Sequence, residues 1–246
     1  MKTKSKALLL TLCAVLLVAA SVLGTMAYLT STAKVENTFT IGKVEIKLDE
    51  AKVTTDGKPV EGADRVLQNQ YKLMPGTTYT KDPTVTVLEG SEESYVRMKV
   101  TFNNAAEIIA LCTDPEFAED GPTGVENAFP LIRMVKFVEA NAAKWDGIIP
   151  DNMVDTEKML GDGKTPTKYF AYDKANDTLT YYFYYTETVG APDGDVKLPV
   201  LFDSITVPEW ATGEQLNALN NFQITVVAEA IQAGTFDDAA DAWSHF

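Results

Sequence analysis

The clearest structural signal in this chain is the run Val96-Arg97-Met98-Lys99-Val100-Thr101-Phe102. Apolar side chains occupy every second position of the run, and charged or hydroxyl side chains occupy the positions between them. Successive side chains of a β-strand point to opposite faces of a sheet. This period of two therefore predicts a strand with one buried face and one solvent-facing face.

Further segments of the same kind occur on both sides of this run. Turn residues such as Met74-Pro75-Gly76, Glu89-Gly90 and Pro192–Asp195 separate them, and 173–177 is predicted to be a hairpin loop. A change of phase at Gly42 predicts a β-bulge. Strands at short spacing with no long helices between them predict an all-β fold, an antiparallel β-sandwich. The predicted strands lie within 44–48, 84–88, 169–172, 178–188, 200–207 and 222–230.

A few short helices are expected around these strands. Thr212-Gly213-Glu214-Gln215 fits a capping box, with Thr212 as N-cap and Gln215 at N3. Thr235-x-x-Asp238 predicts the start of a C-terminal helix. Residues 103–167 have no steady period and contain several prolines, so we predict an irregular insertion of short helices, one or two strands and loops.

The N-terminus has the pattern of a secretory signal peptide. Lys2, Lys4 and Lys6 precede an uncharged apolar run, 7–23, and Thr25-Met26-Ala27 follows it. Small residues at the first and third of these positions predict cleavage between Ala27 and Tyr28, so that 1–27 is removed and 28–246 forms a single domain. The alternative is an uncleaved membrane anchor, because 7–27 is long enough to span a bilayer. Membrane contact is expected only through this uncleaved segment.

Charge and cysteine content limit the partners of the mature chain. The whole chain has a net charge of −14, and removal of the three N-terminal lysines makes it −17. Such a surface repels nucleic acid and anionic lipid, and no basic patch offsets it. Only Cys112 remains after cleavage, so an intramolecular disulfide is excluded and a small buried apolar role is expected.

Most residue patterns of common catalytic sites are missing, whereas the 35 acidic residues offer many possible carboxylate pairs, none of which is singled out by its context. A zinc protease motif needs two histidines one helical turn apart, whereas His245 is the only histidine in the chain. No nucleophile elbow or phosphate-binding glycine loop is present. We therefore predict no catalytic and no cofactor-binding residue. Asp193-Gly194-Asp195 and Asp162-Gly163 offer oxygen ligands of the kind that Ca²⁺ takes, but they lack EF-hand spacing and are more often plain turns.

Taken together, several segments resemble the TasA/camelysin family, whose precursors have a SipW-dependent signal peptide. The matching segments lie near both ends of the chain, and residues 103–167 match nothing in the family. They are Met26–Thr30, Asn37–Gly42, Met74–Gly76, Thr80–Asp82, Tyr182–Tyr185, Leu201–Ile205, Val207-Pro208, Ala228–Ala233, Phe236, Ala242 and Trp243.

This resemblance implies a jelly-roll sandwich in a Gram-positive bacterium and cleavage by a SipW-type signal peptidase. TasA-like members are secreted matrix proteins that assemble into biofilm fibres, and camelysin-like members have been described as cell-surface metalloproteases. The first hypothesis is accordingly a secreted structural subunit of extracellular fibres or of a surface layer. The alternatives are a camelysin-type metalloendopeptidase and a surface module that binds glycans through the aromatic run Tyr181–Tyr185. Cross-strand packing is the interpretation of that run that we favour.

The segment 28–37 is a candidate donor strand for assembly between copies. It has no glycine or proline, and its alternation is too weak to pair it firmly with its own sheet. An extended segment of this kind can fill the unpaired edge of a neighbouring subunit's sheet, and the resemblance to TasA implies the same route. The residues expected to make this contact are Tyr28, Leu29, Thr30, Ser31, Thr32 and Val35.

Overall fold

The structure is a computed structural model that describes residues 12–17, 42–112, 130–148 and 167–246. Its contacts divide the chain into two units, Met1–Ile41 and Gly42–Phe246. In the first unit, residues 12–17 form a helix whose large apolar side chains are exposed. Within the described ranges, no helix is both long enough and apolar enough to cross a membrane. The predicted cleavage residues Thr25, Ala27 and Tyr28 lie outside the described residues.

The second unit is mostly β-structure, as the alternation predicts, and all its strand pairs are antiparallel. Strands β1-β3-β10 form one sheet, β2-β11-β5 a second, and β12-β4-β8-β6 a third to which β7 and β9 also pair. The strands are β1 (Ile46–Asp49), β2 (Thr78–Thr80), β3 (Thr84–Val87), β4 (Ser91–Asn103), β5 (Val135–Phe137), β6 (Trp145–Asp146), β7 (Phe170–Asp173), β8 (Thr178–Tyr185), β9 (Val189–Ala191), β10 (Val196–Lys197), β11 (Phe202–Thr206) and β12 (Ile224–Gln232).

Strand β4 is the centre of the largest sheet and contains the run that alternates most clearly in the sequence. Val96, Met98, Val100 and Phe102 are completely buried, whereas the residues between them are only partly buried. Side chains from all three sheets contribute to one apolar core, which includes Val85 of β3 and Phe202 of β11. The prediction of a half-buried strand at this position is confirmed.

In the described residues of the second unit the helices are few and short: α1 (Ala105–Cys112), α2 (Pro130–Arg133), α3 (Gly213–Ala218) and α4 (Ala239–Ser244), with 3₁₀ turns at Glu139–Lys144 and Ala233–Thr235. The capping box at the start of α3 is confirmed, because Thr212 Oγ1 accepts from the Gln215 N–H and the Gln215 side chain accepts from the Thr212 N–H. The predicted start of the C-terminal helix is wrong. Asp238 is its N-cap and accepts from the Asp241 N–H, because the preceding 3₁₀ turn takes up Thr235.

The described part of 103–167 contributes to two of the three sheets. Strand β5 pairs with β11 and β6 pairs with β8. The Trp145 side chain is 1% exposed and its indole N–H donates to the Pro199 carbonyl. Helix α1 buries Cys112 completely, as predicted for that residue. This segment therefore belongs to the core of the domain.

Turns form where the sequence predicts them. Thr77 N–H donates to the Met74 carbonyl across Pro75-Gly76, and Gly76 has a φ of 68°, a conformation that favours glycine. Strands β7 and β8 form the predicted hairpin. Phe39 and Ile41, on which the predicted bulge at Gly42 depends, lie outside the described residues.

A partly buried arginine, Arg65, ties the long loop between β1 and β2 to the sheets. The Arg65 guanidinium donates to Asp49 Oδ1, to Asp82 Oδ2 at 2.8 Å and to Thr84 Oγ1 at 2.8 Å. It also donates to the backbone carbonyls of Asp49 and Asp82. The planar guanidinium thus joins the end of β1, the loop and the start of β3.

Candidate functional site

The outer edge of β12 is a long row of backbone groups that pair with no other strand in the described residues. Asn103 N–H donates to the Gln223 carbonyl, and the register pairs Ile224 with Phe102. Because antiparallel pairs alternate between hydrogen-bonded and non-bonded, the odd-numbered residues of β12 direct their backbone groups to β4. The even-numbered residues direct theirs away from it. In the described part of the chain, no backbone group pairs with the outward N–H and C=O groups of Ile224, Val226, Ala228 and Ala230.

The same four residues point their side chains towards the core but are incompletely covered. All four are partly exposed, whereas the facing row on β4 is completely buried. A strand added beyond β12 would cover this row in the way that β12 covers β4. The edge therefore offers partly buried apolar surface as well as hydrogen-bonding groups.

Strand β12 itself lacks three features that commonly protect an edge, namely short length, proline and a β-bulge. It is nine residues long, contains no proline and keeps an unbroken register with β4. Its single charged residue, Glu229, is held by its own sheet, since Arg97 Nε and Lys99 Nζ donate to its carboxylate. Val227 on the outer face is 40% exposed. An extended chain could approach this edge without meeting an unpaired charge.

The other sheet edges in the described ranges are short. Strands β1 and β7 have four residues, β2 and β5 three, and β6 and β10 two. Strand β1 also approaches β12 to within 8 Å between Cα atoms. Among these edges, β12 is the one that can pair with a long extended segment.

The chain enters the second unit next to this edge. Lys43 bridges Ser91 at the start of β4, and the Glu92 N–H donates to the Lys43 carbonyl. The last residue of β12, Gln232, pairs with Ser94 on the same strand. The candidate donor segment itself, with Tyr28, Leu29, Thr30, Ser31, Thr32 and Val35, lies outside the described residues.

The tyrosine run of β8 packs against its neighbours, as the favoured interpretation predicts. Tyr181 and Phe183 are buried in the core. On the outer face, Tyr184 is 8% exposed and its ring meets Trp243 of α4 with the ring centroids 5.9 Å apart. The Arg97 guanidinium lies 4.4 Å from the centroid of the Trp243 ring and 5.5 Å from that of Tyr182. The C-terminal helix thus covers part of the surface that a sugar ring would need.

The residues considered for catalysis and metal binding each have a separate structural environment. His245 is exposed at the end of α4, where its ring lies against Phe236. Burial raises the pKa of the Cys112 thiol to about 12. Asp195 accepts the Glu89 N–H, which is a structural role in a turn. Within the ranges that the structure describes, no group of three histidine, cysteine or acidic side chains is placed to hold a metal ion. Asp162 lies outside those ranges.

No protein-family model, curated protein or solved structure matches this chain. The resemblance to the TasA/camelysin family therefore depends on the sequence segments alone and stays a prediction.

The β12 edge is the feature that sequence reasoning missed. The alternation of apolar residues in 222–230 identified the strand. This alternation shows which face of the strand is buried, but not which strands pair with it. The absence of proline and of lysine in this strand is the one sequence signal that could have indicated an unprotected edge.

Proposed function

We propose that this protein is a secreted structural subunit of extracellular biofilm matrix fibres or of a cell-surface layer, without enzymatic activity. In this proposal the fold is a jelly-roll-like sandwich with one incomplete sheet. Segment 28–37 of one copy adds to the outer edge of β12 in the next copy. The observation that supports this most strongly is the nine-residue edge of β12, whose outward backbone groups have no partner in the described residues.

Export prepares the donor in this scheme. A signal peptidase of the SipW type cuts between Ala27 and Tyr28, which releases the protein from the membrane and makes Tyr28 its first residue. N-terminal sequencing of extracellular protein should begin at Tyr28. Protein that stays in the membrane fraction and starts at Met1 would contradict the secreted subunit.

Each contact gains backbone pairing and apolar burial. Each backbone hydrogen bond between the donor segment and β12 should contribute about 1 kcal/mol net to the free energy of association. Side chains such as Leu29 and Val35 would cover the partly exposed row on β12. Because the donor and the acceptor are different surfaces, the contact is heterologous, and its repetition gives an open filament.

The decisive experiment compares two purified forms of the chain. One begins at Tyr28 and the other at Thr38, so that they differ only by the proposed donor segment. We expect the longer form to give filaments in negative-stain microscopy. The shorter form should stay monomeric in sedimentation with an unchanged circular dichroism spectrum.

Two results would contradict the proposal. Filaments from the form that begins at Thr38 would show that 28–37 is not the connector. A form beginning at Tyr28 that stays monomeric at all concentrations would reject the structural subunit itself. Casein zymography with and without chelator tests the alternative of a metalloprotease, for which cleavage sensitive to chelator is the expected result.

A further inference from the structure

A second cluster, separate from the β12 edge, brings an amine and a carboxamide to one carboxylate. Glu50 follows β1 directly and is 5% exposed, and Lys81 follows β2 directly and is 8% exposed. Lys81 Nζ donates to Glu50 Oε2 at 2.8 Å. Asn69, from the loop between these strands, donates through Nδ2 to Glu50 Oε1 at 2.9 Å. Each oxygen of the Glu50 carboxylate thus accepts from one of the two nitrogens.

Burial distinguishes this pair from ordinary surface ion pairs of the same chain. Lys144 and Glu187 are also 2.8 Å apart, but their side chains are 43% and 58% exposed. Two charges removed from water lose hydration energy that their mutual attraction only partly restores. Glu50 Oε2 is the carboxylate oxygen that the Lys81 ammonium contacts, so it is placed to take a proton from it. A neutral lysine amine is a nucleophile.

Hydrogen bonds fix the orientation of the Asn69 amide beside Glu50. Its Oδ1 accepts the Val53 N–H at 2.9 Å, and its Nδ2 also donates to the Ala51 carbonyl at 2.8 Å. Negative charge that develops on Oδ1 would face a fixed backbone donor. Tyr71, whose hydroxyl donates to the Thr80 carbonyl, flanks the site. Burial, with a smaller effect of the nearby Glu50, raises the pKa of the Tyr71 hydroxyl, which therefore stays neutral.

We propose that Lys81 and Asn69 join in an intramolecular isopeptide bond, with Glu50 as the group that moves the protons. Glu50 takes a proton from the Lys81 ammonium through Oε2. The Lys81 nitrogen then forms a bond to Cγ of Asn69, and the electron pair of the carbonyl moves to Oδ1 beside the Val53 N–H.

Collapse of this intermediate breaks the bond between Cγ and Nδ2. Glu50 gives its proton to the departing nitrogen, and it takes the surplus proton from the new amide nitrogen. The ammonia leaves with that second proton as ammonium. One ammonium side chain and one carboxamide thus become one secondary amide and one ammonium ion. The step needs no oxidant, reductant or cofactor.

The new bond would fix the loop that follows β1. Val66, close to Asn69, already exchanges two backbone hydrogen bonds with Glu50, at 2.9 and 2.8 Å. A covalent link from Asn69 to Lys81 would tie this loop permanently to the end of β2. Its formation does not depend on assembly, because all three residues belong to one chain.

Mass spectrometry of the folded mature chain tests the bond. We expect the intact mass to be lower than the sequence mass by one ammonia. After trypsin digestion, the peptides 66–72 and 73–97 should stay joined as one branched species, because modified Lys81 is no longer cleaved. Lys81→Arg and Glu50→Gln should have the full mass of their sequences and separate peptides. Lys144→Arg, which alters an exposed pair of the same length, should keep the loss of ammonia.

A folded wild-type chain at full sequence mass would overturn the proposal. So would a loss of ammonia that persists in Lys81→Arg, since that result indicates cyclisation of Asn69 onto the backbone. Circular dichroism identifies any variant that does not fold. In that case the peptide map of the wild-type chain, which shows the branched species or does not, decides the question alone.

Discussion

Two proline substitutions one residue apart on β12 should have opposite effects on stability and assembly. Ala228 directs its N–H away from β4, whereas Val227 directs its N–H towards Lys99 of β4. Proline has no N–H, and edge strands tolerate it only where the missing group faces solvent. Ala228→Pro should therefore fold normally and assemble poorly. Val227→Pro should lose stability as a monomer.

The size of the assembly effect can be worked out from the edge. The four outward residues of β12 offer eight backbone groups, which give up to about 8 kcal/mol at roughly 1 kcal/mol per hydrogen bond. The freedom of motion lost on association costs about 4–15 kcal/mol, which is similar in size to this gain. The loss of one hydrogen bond should therefore have a measurable effect on assembly. Ala228→Pro removes one donor and places a ring against the incoming strand. A loss of about 2 kcal/mol should raise the critical concentration for assembly about 30-fold.

The size of the stability effect of Val227→Pro follows from the hydrogen bonds between β12 and β4. Val227→Pro removes one hydrogen bond to β4 and leaves the Lys99 carbonyl without its partner, which together with the clash of the ring costs about 3 kcal/mol. For a domain of this size, the melting temperature should fall by about 6–12 °C. Ala228→Pro should change it by much less, because its ladder bonds stay intact.

The assay uses purified chains that begin at Tyr28. Pelleting over a concentration series gives the critical concentration, and thermal circular dichroism of the monomer gives the melting temperature. An unchanged critical concentration for Ala228→Pro would refute the assignment of β12 as the acceptor edge. Equal melting temperatures for the two variants would refute the alternation of backbone groups along β12.

Three further predictions concern the domain itself. Phe102→Ala should lower the free energy of unfolding by about 3–5 kcal/mol in denaturant titration, because the ring is completely buried. Burial raises the pKa of Asp49, but hydrogen bonds from Lys47 and Arg65 outweigh it and lower that pKa below 3.8. The ionised Asp49 carboxylate therefore stabilises the fold above pH 3.8, and this stabilisation is lost as the pH falls through the pKa of the folded state. When the free energy of unfolding is measured at decreasing pH, Arg65→Ala should lose less of it than the wild type does. Cys112 should react with iodoacetamide at pH 8 only in denaturant, since its thiol is buried and its pKa is about 12.

Local patterns in the sequence determined most of the secondary structure. The alternation in 96–102 predicted a half-buried strand, and Val96 to Phe102 indeed face the core at every second position. The capping box at Thr212 and the turn at Pro75-Gly76 depend on groups within three residues of each other, so they form as predicted. Interactions of this range depend little on the rest of the chain. The predicted N-cap of α4 is wrong by three residues, because Thr235 and Asp238 are both residue types that cap helices and Thr235 is part of the preceding 3₁₀ turn.

Only the tertiary structure decided the features on which function depends. Strand β12 is an edge because β4 pairs on one side of it and no described strand pairs on the other, which no property of 224–232 alone can indicate. Asn69 and Lys81 lie 19 and 31 positions after Glu50 in the chain, yet both contact its carboxylate. The period of a strand determines which side chains face the core. The neighbours of that strand, and the side chains that meet between elements, follow from the summed packing energy of the whole domain.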